Sequence, residues 1–254
     1  GWGSFTDGKT CEVSNDEGGN VARITAENVI LATGSTAIEL PFLKFDGDKI
    51  ISSTEALDLD ELPRKVAIVG GGYIGLELGC ALTKLGSDVT VIEGLDSVMS
   101  IFDAELRRPL EIWLKKNKVT VHTSCLAQGA ELEGEKVNFS WKNKDGEIIS
   151  ESFDKVLVTV GRKPNTKGWG LEETGVKMDQ DDRFVAINNQ CRTNMNGIYA
   201  IGDLAGEPLL AHKASAQGEM VAEIIAGKKR VFDPVGIPAI VFTEPEIVTV
   251  GLSP

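Results

Sequence analysis

Gly70, Gly72 and Gly75 follow the short apolar run Val66–Val69 and open a stretch of helical pattern beginning near Tyr73. Their spacing is G-x-G-x-x-G at a strand-to-helix junction. Glycine serves three ends there: a tight turn, close approach of backbone to a pyrophosphate, and close packing of helix on strand. The backbone N–H groups and the positive end of the helix dipole then face the anion. A second apolar run, Val89–Ile92, ends at Glu93, roughly 20 residues beyond the fingerprint, where a carboxylate can accept hydrogen bonds from ribose hydroxyls. A carboxylate there repels a 2′-phosphate, and Gly94 and Leu95 supply no arginine to receive one, so the spacing predicts NAD over NADP.

The other reactive side chains are sparse. Cys11, Cys80, Cys125 and Cys191 lie tens of residues apart and form no C-x-x-C or similar pair, which points to reduced thiols in a cytoplasmic setting. His122 and His212 are the only histidines and are far apart, so no metal site is expected. A formal charge of -12 argues against nucleic acid or an anionic membrane as a partner. The longest apolar stretch, Val66 to Leu82, contains Glu77 and five glycines and does not read as a membrane span. The opening GWGSFTDGK has neither the basic nor the apolar region of a signal peptide.

The elements that must position these residues follow from pattern. Lys9–Val13, Val21–Ile24 and Asn28–Ala32 read as strands, the first two separated by the turn-forming run Asn15–Asn20. A chain that starts in mid-meander is expected to be an internal piece of a longer one. Residues 36–63 read as a connector with one short helix, Ser53–Leu59. Then comes an α/β unit: the fingerprint strand, a helix over Ile74–Leu85, the strand to Glu93, a helix over Asp103–Asn117, and a strand over Val119–Thr123. Glu131–Phe153 alternates and turns at Asn143–Gly146, predicting a small antiparallel meander, and Val156–Val160 returns as a buried parallel strand. Phe184–Ile187, Ile198–Ile201 and Ala239–Phe242 are further strands, with a helix over His212–Ala226 closed by Gly227.

Six segments in order resemble the flavoprotein disulfide reductases with two dinucleotide folds, and among them the dihydrolipoamide dehydrogenase branch. They are ILATGS (Ile30–Ser35), VGGGYIGLELG (Val69–Gly79), VTVGRKPN around Thr159–Asn165, GIYAIGD (Gly197–Asp203), LLAHKA (Leu209–Ala214) and FTEPEIVTVG (Phe242–Gly251). The resemblance covers essentially the whole chain. It implies an α/β fold in which a Rossmann-like NAD-binding domain with a small β-meander is inserted in a partial FAD-binding domain. Residues 1–62 and 167–233 would belong to the FAD domain, 63–166 to the NAD domain, and 234–254 to the opening of a dimer-interface domain.

By motif match, Gly70, Gly71, Gly72, Tyr73, Ile74, Gly75, Leu76 and Glu77 would cradle NAD, with Glu93 on the ribose, Ala127 near the adenine and Gly161 at the nicotinamide end. FAD would be met by Gly3, Thr33, Gly34 and Ser35 on its adenosine and pyrophosphate side. Asp203 would take the ribityl hydroxyls, and the backbone of Leu209, Leu210, Ala211 and His212 the ring. Asp203 alone also reads as a helix cap or turn aspartate. Tyr73 reads equally as an aromatic packed at a helix start. His212 is assigned no proton transfer. Glu77, placed on the first turn of the helix, would gain from the dipole, and the family pairs a matching glutamate with a lysine beside the flavin.

The family's redox-active cysteine pair and its His–Glu base find no match in residues 1–254, so no catalytic residue is assigned within the chain beyond a supporting role for Glu77. The whole protein would oxidise lipoyl domains of a 2-oxoacid dehydrogenase or glycine cleavage complex and form a homodimer, and the piece alone would not turn over lipoamide. An NADH oxidase, or a mercuric or other disulfide reductase, shares most of these motifs, and a non-catalytic NAD-binding module is the reading from outside the class.

Overall fold

The apolar run that precedes the glycines enters the fold as the middle strand of a parallel sheet in the computed structural model, which describes residues 1–252. In chain order the first strands are β1 (Trp2–Phe5), β2 (Thr10–Ser14), β3 (Asn20–Thr25), β4 (Val29–Leu31), β5 (Ser35–Ala37) and β6 (Ile50–Ile51). Helix α1 (Ser53–Ala56) leads to β7 (Lys65–Val69), α2 (Tyr73–Leu85), β8 (Asp88–Ile92), α3 (Ala104–Lys116) and β9 (Thr120–His122). Then come β10 (Leu126–Glu133), β11 (Lys136–Lys142), β12 (Ile148–Phe153), β13 (Lys155–Val158) and β14 (Arg162–Pro164). Strand β15 (Ile198–Ala200), helix α4 (Ala211–Ile225) and strands β16 (Ala239–Val241) and β17 (Ile247–Thr249) complete the order.

The chain divides into two compact units. One comprises Gly1–Thr36 and Lys163–Ile237, the other Ala37–Arg162 with the segment from Pro238 onward. This division cuts at different residues from the four segments expected from sequence. Residues 37–62 join the second unit because Ile50 and Ile51 are buried as an edge strand beside β13, with α1 closed by a capping box between Ser52 and Glu55. The β16–β17 hairpin joins it because Val241 and Ile247 are buried in the same core.

The second unit is built on a five-stranded sheet in the order β6-β13-β7-β8-β9, every pairing parallel. Side chains alternate across a strand, so an unbroken apolar run feeds both faces. Val66 and Ile68 of β7 point into one cluster, with Leu76 and Cys80 of α2 and Leu110 and Leu114 of α3. Ala67 and Val69 point into the other, with Val137, Phe139 and Trp141 of β11 and Phe153 of β12. The antiparallel β10-β11-β12 meander is therefore a lid of aromatic residues over one face, and Phe139 and Trp141 stack at 5.8 Å. Ile68 and Leu76 are fully buried, each worth about 1.5–3 kcal/mol of transfer free energy. Helix α2 ends at Gly86, whose φ of 111° is the left-handed cap that glycine favours.

The first unit holds an antiparallel β1-β2-β3 sheet and a separate parallel pair, β4 with β15, registered Val29 to Ile198 and Leu31 to Ala200. Strand β1 was not legible because GWGSF carries little strand signal, and its pairing partner, Cys11–Ser14, decides it. Phe184–Ile187, expected as a strand, forms only an isolated bridge between Met178 and Val185, since the Val185 N–H donates to the Leu204 carbonyl at 3.0 Å. Helix α4 starts one residue earlier than expected and stops before Gly227 (φ 91°).

Candidate functional site

At the carboxyl ends of β7 and β8 the second unit opens a cleft of about 460 Å³. Gly70, Gly71, Gly72, Tyr73, Ile74, Glu93, Ala127 and Gly161 all line it, so eight of the sequence-derived positions share one cavity. This is where ligands bind in open parallel sheets. The glycines do separate jobs. A Cβ on Gly70 (φ 107°) would lie 2.6 Å from the Thr159 carbonyl oxygen, and one on Gly75 would lie 2.3 Å from the Gly70 oxygen, so both are demanded by packing. A Cβ on Gly72 meets nothing within 4 Å; its space is open. Gly72 is also the N-cap of α2, with no side-chain cap and no acidic residue in the first turn, which leaves the helix start as an anion site.

Glu93 is fixed by backbone donors. The Gly71 N–H donates to its Oε2 at 2.6 Å and the Leu95 N–H to its Oε1 at 2.7 Å. Such charge-assisted bonds are worth about 1.5–3 kcal/mol each and set the carboxylate at the end of β8 rather than leaving it to swing in solvent. The acceptor capacity left on its two oxygens suits a pair of ribose hydroxyls.

Gly75 and Leu76 lie behind the cleft as packing residues, and Leu76 is fully buried. Glu77 lies past the first turn of α2, against the placement expected from sequence, and its Oε1 accepts the Phe242 N–H at 2.8 Å. Sequence reasoning missed Phe42, Leu95, Ile101 and Leu126, exposed apolar side chains along the same cleft. Phe42 stands in what read as a connector and gave no signal. Thr159, whose hydroxyl donates toward the Gly70 carbonyl at 3.1 Å, stood in the VTVG segment and could have been found there.

In the first unit the parallel strands β4 and β15 end side by side, and the residues just beyond them meet. Ser35 Oγ donates to Asp203 Oδ2 at 2.6 Å. Thr33 Oγ1 donates to the Asn165 carbonyl at 2.8 Å, and the Asn165 N–H donates to the Gly34 carbonyl at 2.9 Å. Asp203 stands in the short turn Gly202–Leu204, whose N-cap is Ile201, so it is not that turn's cap. Leu209 and Leu210 are half-buried and lead into α4, where Ala211 and His212 are exposed. Gly3, in β1, lies in the other sheet of this unit, opposite Val13 of β2, where a Cβ would come 3.2 Å from Cys11 Sγ.

All four cysteines are free thiols, three of them buried, and burial pushes the Cys191 thiol up to about 11. Among the described residues no group of His, Cys, Asp or Glu could hold a metal ion, and no helix is long and apolar enough to cross a membrane.

Comparison with known proteins bears on this arrangement. The family profile described as pyridine nucleotide-disulphide oxidoreductase matches residues 2–218. A dihydrolipoyl dehydrogenase of Pseudomonas aeruginosa is 48% identical over 254 residues, covering 100% of this chain and 53% of that protein. One of Geobacillus stearothermophilus is 44% identical over 247 residues, 97% of this chain and 52% of that protein. Among solved structures, LpdA from Mycobacterium tuberculosis superposes with a TM-score of 0.84 at 31% identity, covering 96% of this chain and 52% of that one. An HOCl-induced flavoprotein disulfide reductase, RclA, from Escherichia coli gives 0.89 at 23% identity, over 100% of this chain and 56% of that one, a likeness of fold. The chain spans about half the length of the curated relatives it matches.

Proposed function

Because this chain belongs to the pyridine nucleotide-disulphide oxidoreductase family, we propose that it carries the NAD site and part of the FAD site of a dihydrolipoamide dehydrogenase. The observation that carries this reading is the backbone-fixed Glu93 carboxylate standing in the same cleft as the uncapped, glycine-lined start of α2. Each part does separate work. The first-turn N–H groups of α2 and the open space at Gly72 receive the pyrophosphate. Glu93 takes the adenosine ribose and repels a 2′-phosphate, so NAD is bound in preference to NADP. Leu126 and Ala127 give the adenine an apolar wall, and Gly161 lies at the nicotinamide end.

In the first unit, Asp203 supplies an acceptor for the ribityl hydroxyls of FAD, steadied by the Ser35 hydroxyl, and Thr33, Gly34 and Ser35 face the adenosine and pyrophosphate side. FAD and NAD, when bound, supply the two-electron chemistry; the residues here bind, orient and exclude solvent. None is assigned proton transfer. The relatives' names support dihydrolipoamide as the substrate of the whole protein, hence lipoyl domains as its partners, and a cytoplasmic homodimer is the assembly proposed with them. The layout proposed is an NAD-binding domain set within an FAD-binding domain, followed by the start of an interface domain.

Tryptophan fluorescence of the chain titrated with NADH tests the reading. Saturable quenching that is lost in Gly72→Asp, which sets a carboxylate at the anion site, supports it. Absence of saturation in the unsubstituted chain refutes it.

A further inference from the structure

Among the described residues, one acidic or basic side chain is buried: Lys213, 4 % exposed. One side-chain amide is buried with it, Gln217 at 5 %. They stand four residues apart, one above the other on the same face of α4. Burying such groups costs free energy unless they are hydrogen-bonded, so what they hold matters.

Both hold the same turn. Lys213 Nζ donates to the Gly202 carbonyl at 3.4 Å and to the Gly206 carbonyl. Gln217 Oε1 accepts the Gly202 N–H at 2.8 Å. Gly202 has a φ of 69°, and a Cβ there would lie 3.0 Å from the Ala214 Cβ, so the turn is seated directly on α4 between its two holders. The residue next to Gly202 is Asp203, whose carboxylate accepts a hydrogen bond from the hydroxyl of Ser35, the first residue of β5. Burial lowers the proton affinity of Lys213, while Asp203 and Glu207 oppose that shift, so the ammonium and the Asp203 carboxylate feel each other.

We propose that Lys213 and Gln217 form a two-point clamp that fixes the Gly202–Gly206 turn and thereby aims the Asp203 carboxylate at the hydroxyls of FAD. They are positioning residues acting through Asp203. The proposal rests on the FAD reading given above for its consequence, though not for the clamp itself.

The test is a double-mutant cycle on the full chain, read by quenching of flavin fluorescence during FAD titration, with amide hydrogen exchange alongside. Lys213→Met weakens FAD binding by roughly tenfold when Asp203 is present and by less than about twofold in the Asp203→Ala background. In the same variant, exchange of the amides over residues 202–206 rises by roughly tenfold while that of residues 218–225 is unchanged. Equal loss of FAD affinity in both backgrounds overturns the proposal. Should Lys213→Met not fold, Gln217→Met is read by the same two measurements. Should the unsubstituted chain bind no FAD, or Asp203→Ala be too weak to titrate, hydrogen exchange decides alone: unchanged exchange over 202–206 overturns the clamp. FAD failure with faster exchange leaves the clamp standing and sinks only the cofactor reading.

Discussion

The cleft at Gly70–Glu93 and the Ser35–Asp203 cluster are built by opposite means. The cleft comes from one continuous strand–helix–strand stretch, and backbone makes it: glycine clearances, N–H groups, and a carboxylate pinned by Gly71 and Leu95. It rests on five parallel strands covered on both faces. The cluster gathers residues from 33–35, 165–169 and 202–217, and side chains hold it together through Ser35, Thr33, Trp169, Lys213 and Gln217. Its parallel pair is only two strands wide, and Ile30 of β4 is 39% exposed. A site made of backbone is fragile to added atoms, and a site made of side chains is fragile to removed ones.

That contrast sets the order of expected effects. The largest falls on Gly75→Val, where the first added carbon already meets the Gly70 carbonyl at 2.3 Å and Thr159 Oγ1 at 2.5 Å. Overpacking of this kind costs about 1–3 kcal/mol, to be measured by urea unfolding, and NADH binding is lost with it. Gly72→Ala is its counterpart: unfolding midpoint nearly unchanged, NADH affinity lower by roughly tenfold because the methyl enters ligand space. If the two variants behaved alike, the division of labour among the glycines would be wrong.

Next comes Ser35→Ala, which removes one donor to Asp203. FAD binding weakens by about 1 kcal/mol, because Ser35 acts on the cofactor through Asp203, while NADH titrations stay as in the native chain. Loss of both would show that the two sites do not separate.

The effect that is smallest at neutral pH shows only in alkali. The Cys191 thiol is raised from 9.0 to about 11 by burial, so the unfolded chain gives up its proton first as pH climbs. Stability from this group is complete below pH 9.0 and is lost as pH rises through about 11. Thermal unfolding of Cys191→Ala, compared with the native chain across that window, has the flatter profile.

The same contrast explains what sequence could reveal. β7, α2, β8 and Glu93 were legible because spacing along the chain encodes them, and Ile198–Ala200 and α4 because their patterns are locally strong. Ser35 and Asp203 could be named from motifs, yet their bond to one another depends on β4 pairing with β15. Nothing in the local pattern marks Lys213 and Gln217 as buried, since packing against the 202–206 turn is what buries them. Glu77 was placed by its neighbours in sequence and is held instead by Phe242, 165 residues away. Trp2–Phe5 became a strand because the next strand, from Cys11 to Ser14, pairs with it, and 184–187 did not because the Val185 N–H is taken by the Leu204 carbonyl; in both, the pairing partner outweighed the local pattern.

The central claim is that Glu93, held at the end of β8, selects the nucleotide. Equilibrium titrations of NADH and NADPH against the native chain and Glu93→Gln test it most directly. The native chain is expected to bind NADH at least about tenfold more tightly than NADPH, with most of that preference gone in Glu93→Gln. Equal affinity for the two nucleotides in the native chain, or a preference that survives the substitution, would contradict the account.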